Sequence, residues 1–376
     1  MIAEAFGKAV KRQLISDVEV GSYLSGGMDS GSIVAVAGRF LPRLMTFTGG
    51  FDLTNVDGIE QGFDERETAE KLSYLLQTEH YAVVLHAGDM PAAMEKITWH
   101  VDDPRVGMCH QNWYVAKLAS RFVKVCLAGA GGDELFAGYP WRYLQGIGAK
   151  TVEEFDLAYY RYWHRLLPPG EIDKLFSPEH RQHYPITWDS FQSVMESAPG
   201  WQQELSCSEN LLQRALYFEF KTFLHGFVMI EDRISMAHGL ETRVPFLDNQ
   251  LVDLAWKLRP SLKVRVEGLP GGKRNHYYET AEGKALLRTA MEQYLPKQFL
   301  HQRKQGFSPP DENWYRGPSM GYIKEILYDQ RTLARPFFDL DFVKRRLEEH
   351  FQGIQNHRLL IWSLLSFEWL NRHFID

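Results

Sequence analysis

Cysteine is nearly missing from this sequence. Only Cys109, Cys126 and Cys207 occur in 376 residues, and no two form a CxxC pair. So sparse and odd a set excludes a disulfide scaffold and a cysteine-rich zinc site, and it fits a reducing compartment. An excess of positive charge is missing too, the formal net charge being −6. That excludes a broadly basic face for nucleic acid, while leaving room for a local basic pocket. No apolar run approaches the roughly 20 residues that span a bilayer. The opening MIAEAFGKAVKRQL is amphipathic but has no apolar signal-peptide core. Internal repeats and low-complexity tracts are absent. The protein is expected to be soluble and cytoplasmic, without a membrane or nucleic-acid partner.

What is present supports a sizeable core. Hydrophobic residues make up 44% and charged residues 24%, enough for one large core or two lobes. Aromatic residues at 13%, with 10 Trp, favour a helix-packed interior.

Strand and helix signals alternate over about the first 140 residues. Residues 2–15 have helical spacing through Ala5, Ala9, Val10 and Leu14. VEVGSYL reads as a strand ending at Leu24, SIVAVAGRF as a helix, LMTFT as a strand, FDERETAEKLSYLL as a helix and HYAVVL as a strand. Helices at about 90–100 and over NWYVAKLASRF precede a further strand, VKVCLAG. This alternation predicts an α/β fold, a parallel sheet with helices on both faces. The strands are near-continuous apolar runs, as expected when both faces are covered. After about 148 the strand signals fade. Leu212, Leu216, Phe220 and Leu224 form a stripe at steps of four, and HRLLIWSLLSFEWLNRHF reads as a buried terminal helix. The expected division is a nucleotide-binding α/β part at about 1–148 and a mainly helical part at about 149–376. Val264–Lys273, rich in glycine, is the clearest candidate for a mobile loop.

Two glycine loops carry the chemistry. The first, SGGMDS, runs from Ser25 to Ser30 between a strand and a helix. Helix N-termini carry unpaired N–H groups and partial positive charge, so they bind phosphate. Ser25 and Ser30 add hydroxyls, and Gly26 and Gly27 let an anion approach. The loop has no Walker lysine. A bare Asp29 would repel phosphate, and the conflict resolves if Asp29 reaches a Mg²⁺ ion that bridges to it. The second loop, LAGAGGDELFAGY, offers Gly129, Gly131 and Gly132, then Asp133 and Glu134. Both loops lie at strand carboxyl ends, where open parallel sheets bind ligands. Asp29 and Asp133 are therefore candidates to share one Mg²⁺. Each loop alone could be a tight turn whose acids cap a helix.

SGGMDS, GAGGDELFAGY, HGLETRVPFLD (His238–Asp248) and RKQGF (Arg303–Phe307) occur in that order. Together they resemble the synthetase domain of the glutamine-dependent asparagine synthetases, a group that also includes β-lactam synthetases and lasso-peptide cyclases. SGG-x-DS alone is shared with all PP-loop ATP pyrophosphatases. The resemblance implies cleavage of ATP between its α and β phosphates. A carboxylate attacks the α-phosphate, pyrophosphate leaves, and an amine then displaces AMP to form an amide. It implies that Ser25, Gly26, Gly27 and Ser30 cradle pyrophosphate, with Gly129 and Gly131 beside them, and that Asp29 and Asp133 hold Mg²⁺. Thr48, Gly49 and Gly50 of TFTGGF, with Tyr23 and Leu24, would line the nucleotide largely through backbone. Lys304 matches a family lysine that stabilises charge on the attacked phosphate. Glu241 matches a family carboxylate that serves as base in the β-lactam branch, and an ion pair with Arg243 is the competing reading.

Two departures bear on substrate and amine. Where asparagine synthetases commonly carry SGEG or SGDG, this chain reads AGAG, with Ala128 and Ala130. The pocket loses an acid, which opens the substrate beyond aspartate. The family also carries an N-terminal glutaminase with a cysteine after the initiator methionine, whereas this chain begins MIAEAF. No glutaminase is expected within it, so ammonia would come free, from a separate glutaminase or from a longer chain. The expected partners are ATP, a small carboxylate such as aspartate and ammonia or an amine, with a homodimer as one assembly. Three functions stay open: an asparagine-forming ligase, a pathway-specific cyclase or amide ligase, and a non-catalytic nucleotide-binding remnant. A tRNA-modifying PP-loop enzyme fits less well, since no basic tract or zinc ribbon occurs.

Overall fold

A computed structural model describes residues 1–146, 148–168, 170–183, 185–266, 281–301 and 306–376. Its first third follows the hydrophobic pattern. Helix α1 (Ile2–Gln13) buries Ile2, Phe6, Ala9 and Val10, an i, i+4, i+7, i+8 face. In order follow β1 (Val20–Tyr23), α2 (Met28–Ala37), β2 (Met45–Phe51), α3 (Arg66–Leu76), β3 (Glu79–Leu85), α4 (Asp89–Val101), α5 (His110–Ala119), β4 (Val125–Leu127) and a short α6 (Gly132–Phe136).

A fifth strand, β5 (Glu241–Arg243), comes from the segment expected to be helical. Three mostly polar residues carry no strand signal, and β5 forms because β4 offers it a free edge. The sheet order is β3-β2-β1-β4-β5 with every pairing parallel. The chain builds outward from β1 through β2 to β3, then returns to place β4 on the other side of β1. The β1–β4 junction is thus a topological switch point, where a crevice opens beyond the carboxyl ends.

Side chains alternate across the sheet. Val125 and Leu127 join α1 and α2 in one apolar cluster with Phe6, Val10, Ile33 and Val34. Cys126 and Phe47 join α4 and α5 in another with Ile97, Trp113 and Val115. Helices therefore cover both faces, as predicted. The near-continuous burial expected of every strand fails at β3, which is only partly covered because it forms the sheet edge.

The second part is helical. Helices Val152–Trp163, Ile186–Glu196 and Cys207–Glu219 pack around Tyr143, Phe155, Tyr159 and Leu211. Of the predicted stripe, Leu212, Leu216 and Leu224 are buried, and a π-turn at Phe220–Leu224 joins Cys207–Glu219 to the next helix, His225–Met236. The terminal helix Arg358–Phe374 is buried on Leu360, Ile361, Trp362, Leu364 and Leu365. Val264–Val266 (β6) pairs antiparallel with Ala281–Gly283 (β7), so the expected loop begins as a strand; residues 267–280 lie outside the described residues. Among the described residues no helix is long and apolar enough to cross a membrane.

Candidate active site

The first glycine loop is held by its own hydroxyls. Ser25 N–H donates to Ser30 Oγ at 3.1 Å, the two hydroxyls lie 3.1 Å apart, and Ser30 Oγ donates to the Gly27 carbonyl at 3.3 Å. Gly26 has φ +79°, and a β-carbon there would lie 2.9 Å from the Ala69 nitrogen in α3. Only glycine meets both demands. No side chain caps α2 at Gly27, so its first-turn N–H groups are left for an anion.

The second loop presses against the first. A β-carbon on Gly129 would lie 3.2 Å from Asp29 Cβ, and one on Gly132 would lie 2.9 Å from Asp29 Cγ and Oδ1. These glycines leave room for the Asp29 carboxylate. Gly131, at φ +92°, turns the chain past Leu247. Asp133 and Glu134 then begin α6, both buried. Burial, followed by the charge of Asp133, pushes the Glu134 carboxyl up.

A third segment completes the cluster. Lys284, directly after β7, is 5% exposed. Its Nζ lies 2.6 Å from Asp133 Oδ1 and also touches Asp29 Oδ2. Asp29 and Asp133, about 100 residues apart in sequence, thus share one ammonium. The other Asp29 oxygen, Oδ1, is buried with no hydrogen-bond partner, which suits a further cation. No group of three His, Cys, Asp or Glu side chains that could hold a metal occurs among the described residues. A divalent ion on Asp29 and Asp133 would need phosphate or water for its remaining ligands, as Mg²⁺ commonly takes.

Residues 1–372 match a known family model, Asparagine synthase. This chain belongs to the asparagine synthase family. It is 28% identical to asparagine synthetase [glutamine-hydrolyzing] 1 of Bacillus subtilis, matching 97% of this chain and 58% of that protein. It is 29% identical to a putative asparagine synthetase [glutamine-hydrolyzing] of Mycobacterium bovis, over 98% of this chain and 56% of that one. Amidase chyE of Penicillium rubens is 23% identical over 92% of this chain and 57% of its own length. The chain thus spans a little over half the length of these relatives.

Within this asparagine synthase fold, the other expected site residues divide. Leu24 is buried, its N–H donating to the Phe47 carbonyl at 2.9 Å. Thr48 is buried within β2. A β-carbon on Gly49 would meet Val115 and Phe307, and one on Gly50 would meet Arg66. The missing side chains here give these neighbouring residues room. Lys304 lies outside the described residues. Its neighbour Phe307 is anchored, with its ring 5.5 Å from that of Phe51.

Glu241 is not brought to the site. It is exposed, and Arg243 Nε donates to its Oε1 at 2.7 Å. Arg243 also donates to the carbonyls of Gln13 and Ile15, ahead of β1 and so at the amino ends of the strands. The glycine loops lie at the opposite ends. The ion pair, not the base, is what the fold builds here.

Two residues were missed in the sequence. Lys284 has only a GK dipeptide to mark it. Glu231, on helix His225–Met236, is buried and accepts from Asn112 Nδ2 at 2.6 Å. Burial pushes its carboxyl above the ordinary range, against the Asn112 hydrogen bond. It neighbours Tyr23, whose phenol is pushed up by burial and then by the Glu231 charge. Tyr23 immediately precedes the first glycine loop.

Proposed function

We propose that this chain is the synthetase part of an ATP-dependent amide-forming ligase. One observation carries the reading. Asp29 and Asp133 meet beneath two glycine loops at the switch point of the sheet, next to an uncapped helix N-terminus. In this reading the α2 N–H groups, with Ser25, Gly26, Gly27 and Ser30, bind the β- and γ-phosphates, and Gly129 and Gly131 flank them. Tyr23, Leu24 and Thr48 border the nucleotide. Asp29 and Asp133 would hold Mg²⁺, which supplies charge neutralisation on the phosphates when bound. A carboxylate oxygen of the acceptor attacks the α-phosphate, and the bond to the bridging oxygen breaks to release pyrophosphate. Lys304 stabilises the charge that builds on the α-phosphate. Ammonia or an amine then attacks the acyl carbon, and AMP leaves. An amine must be neutral to attack. We assign the proton to Glu231, the buried carboxylate beside Tyr23, in place of Glu241.

Aspartate is the first acceptor to test, with asparagine as product and ammonia free or delivered by a separate glutaminase. Ala130 supports a second reading in which another carboxylate or amine is joined, because the loop offers no acid at that position to handle the substrate. Pyrophosphate release is measured with ATP, Mg²⁺, ammonia and a panel of carboxylates that begins with aspartate. Release that depends on one acceptor, and falls in Asp29→Asn, Asp133→Asn and Lys304→Ala, is the expected result. Folded protein that binds ATP but fails to cleave it in the presence of any acceptor would reject the ligase reading in favour of a non-catalytic nucleotide-binding remnant.

A further inference from the structure

Asp29 Oδ2 and Asp133 Oδ1 both engage the Lys284 ammonium. A divalent ion bridging the two carboxylates would lie against the Lys284 ammonium, even if it took the unpartnered Asp29 Oδ1. The two cations cannot share the position, since like charges that close repel strongly in a buried setting. Nor can the ammonium simply withdraw, because a buried charge without a partner is costly. It needs a new anionic acceptor, and phosphate oxygens are one.

The surroundings leave the side chain as the part that moves. Lys284 has φ +59°, an uncommon backbone state for a residue with a β-carbon. Its N–H donates to the Phe136 carbonyl at 3.0 Å. The preceding Gly283 has no space for a β-carbon against the Ala137 carbonyl. A β-carbon at Gly138 would collide with Asp133 and lie 2.7 Å from Lys284 Cε, so glycine there reserves the channel in which the lysine stem lies.

We propose that Lys284 is an internal counter-ion that blocks the carboxylate pair, so that a divalent cation enters only together with nucleotide phosphates, which take over the ammonium. The proposal rests on the reading of Asp29 and Asp133 as the metal carboxylates. It makes metal binding and nucleotide binding one coupled event.

Mn²⁺ is the probe, titrated by electron paramagnetic resonance into protein with and without a non-cleavable ATP analogue. Wild-type protein is expected to bind Mn²⁺ at least tenfold more tightly with the analogue present. Lys284→Met should bind one Mn²⁺ without nucleotide, at least tenfold more tightly than wild type does, and its Tm should rise with Mn²⁺. Lys284→Asn is the second variant, because asparagine tolerates the left-handed backbone. Adding Asp29→Asn to Lys284→Asn should abolish that binding. The proposal is overturned if nucleotide-free wild type binds Mn²⁺ as tightly as with the analogue. It is equally overturned if a folded Lys284 variant gains no Mn²⁺ affinity, or keeps it without Asp29. Pyrophosphate release by wild type, measured separately, reports on the ligase reading and not on this one.

Discussion

Gln111 Nε2 donates to the carbonyl of Phe307 at 3.1 Å, tying the first turn of α5 to the end of the KQGF segment. Gln111 is buried, and the Phe307 ring fits where Gly49 has no side chain. The tie fixes the chain at Phe307, and with Lys304 in the role proposed for it, Gln111 is expected to act as its positioning residue. Gln111→Leu removes the donor and leaves the Phe307 carbonyl unsatisfied. We expect kcat for pyrophosphate release to fall about tenfold or more through misplacement of the reacting group, with KM for ATP little changed. Equal losses in kcat/KM and thermal stability, with kcat intact, would show a structural role only.

The contact between Gly132 and Asp29 gives a cleaner test of the site. Alanine at 132 adds a β-carbon 2.9 Å from the Asp29 carboxylate. Gly132 is helical, and Gly→Ala inside a helix is worth up to about 1 kcal/mol of stability. Gly132→Ala should therefore keep or slightly change the urea midpoint while cutting kcat/KM about 10²-fold. A variant with normal turnover would mean that Asp29 need not sit where it does.

Glu231 separates the two half-reactions. If it accepts the amine proton, Glu231→Gln keeps ATP–pyrophosphate exchange with the acceptor and loses about 10²-fold or more of amide formation. Glu241→Gln should change neither. Loss of exchange in a well-folded Glu231→Gln would place Glu231 in adenylation or nucleotide binding instead.

A pH effect on stability is expected from a residue outside the two glycine loops. Asp311 is fully buried, and burial pushes its carboxyl to about 8. Arg358 pulls it down, but that guanidinium is already committed to Glu60 at 2.7 Å. A raised folded-state value means that the stability contributed by the neutral acid is complete below the usual carboxyl range, about pH 4. It is lost as pH rises towards about 8. Asp311→Asn should flatten the decline in stability across that window and be more stable than wild type at its upper end. Urea unfolding at intervals from pH 4 to 8 measures both, and parallel curves for the two proteins would contradict the assignment.

Much was legible in one dimension. Strands β1 to β4 were readable because each is an apolar run bounded by turn residues, and α1 because its buried residues recur at helical spacing. Both glycine loops were readable because backbone that must turn sharply or lie against a neighbour selects glycine, as at Gly26 and Gly131. Asp29 and Asp133 follow those loops, so local chemistry marked them as a pair.

The rest needed the fold. Glu231 and Glu241 lie ten residues apart in similar surroundings of sequence, yet helix His225–Met236 buries the first beside Tyr23 and β5 sets the second in an exposed ion pair at the other end of the sheet. That the missing side chains of Gly49 and Gly50 give room to Phe307 and Arg66 is visible only in the fold. Lys284 carries no pattern of its own and reaches the site because β7 delivers it there. Local sequence determines which elements form and which backbone turns are allowed, because those depend on neighbours in the chain. Which charges meet depends on contacts between residues hundreds of positions apart, and only the tertiary structure decided that Lys284 would stand between Asp29 and Asp133.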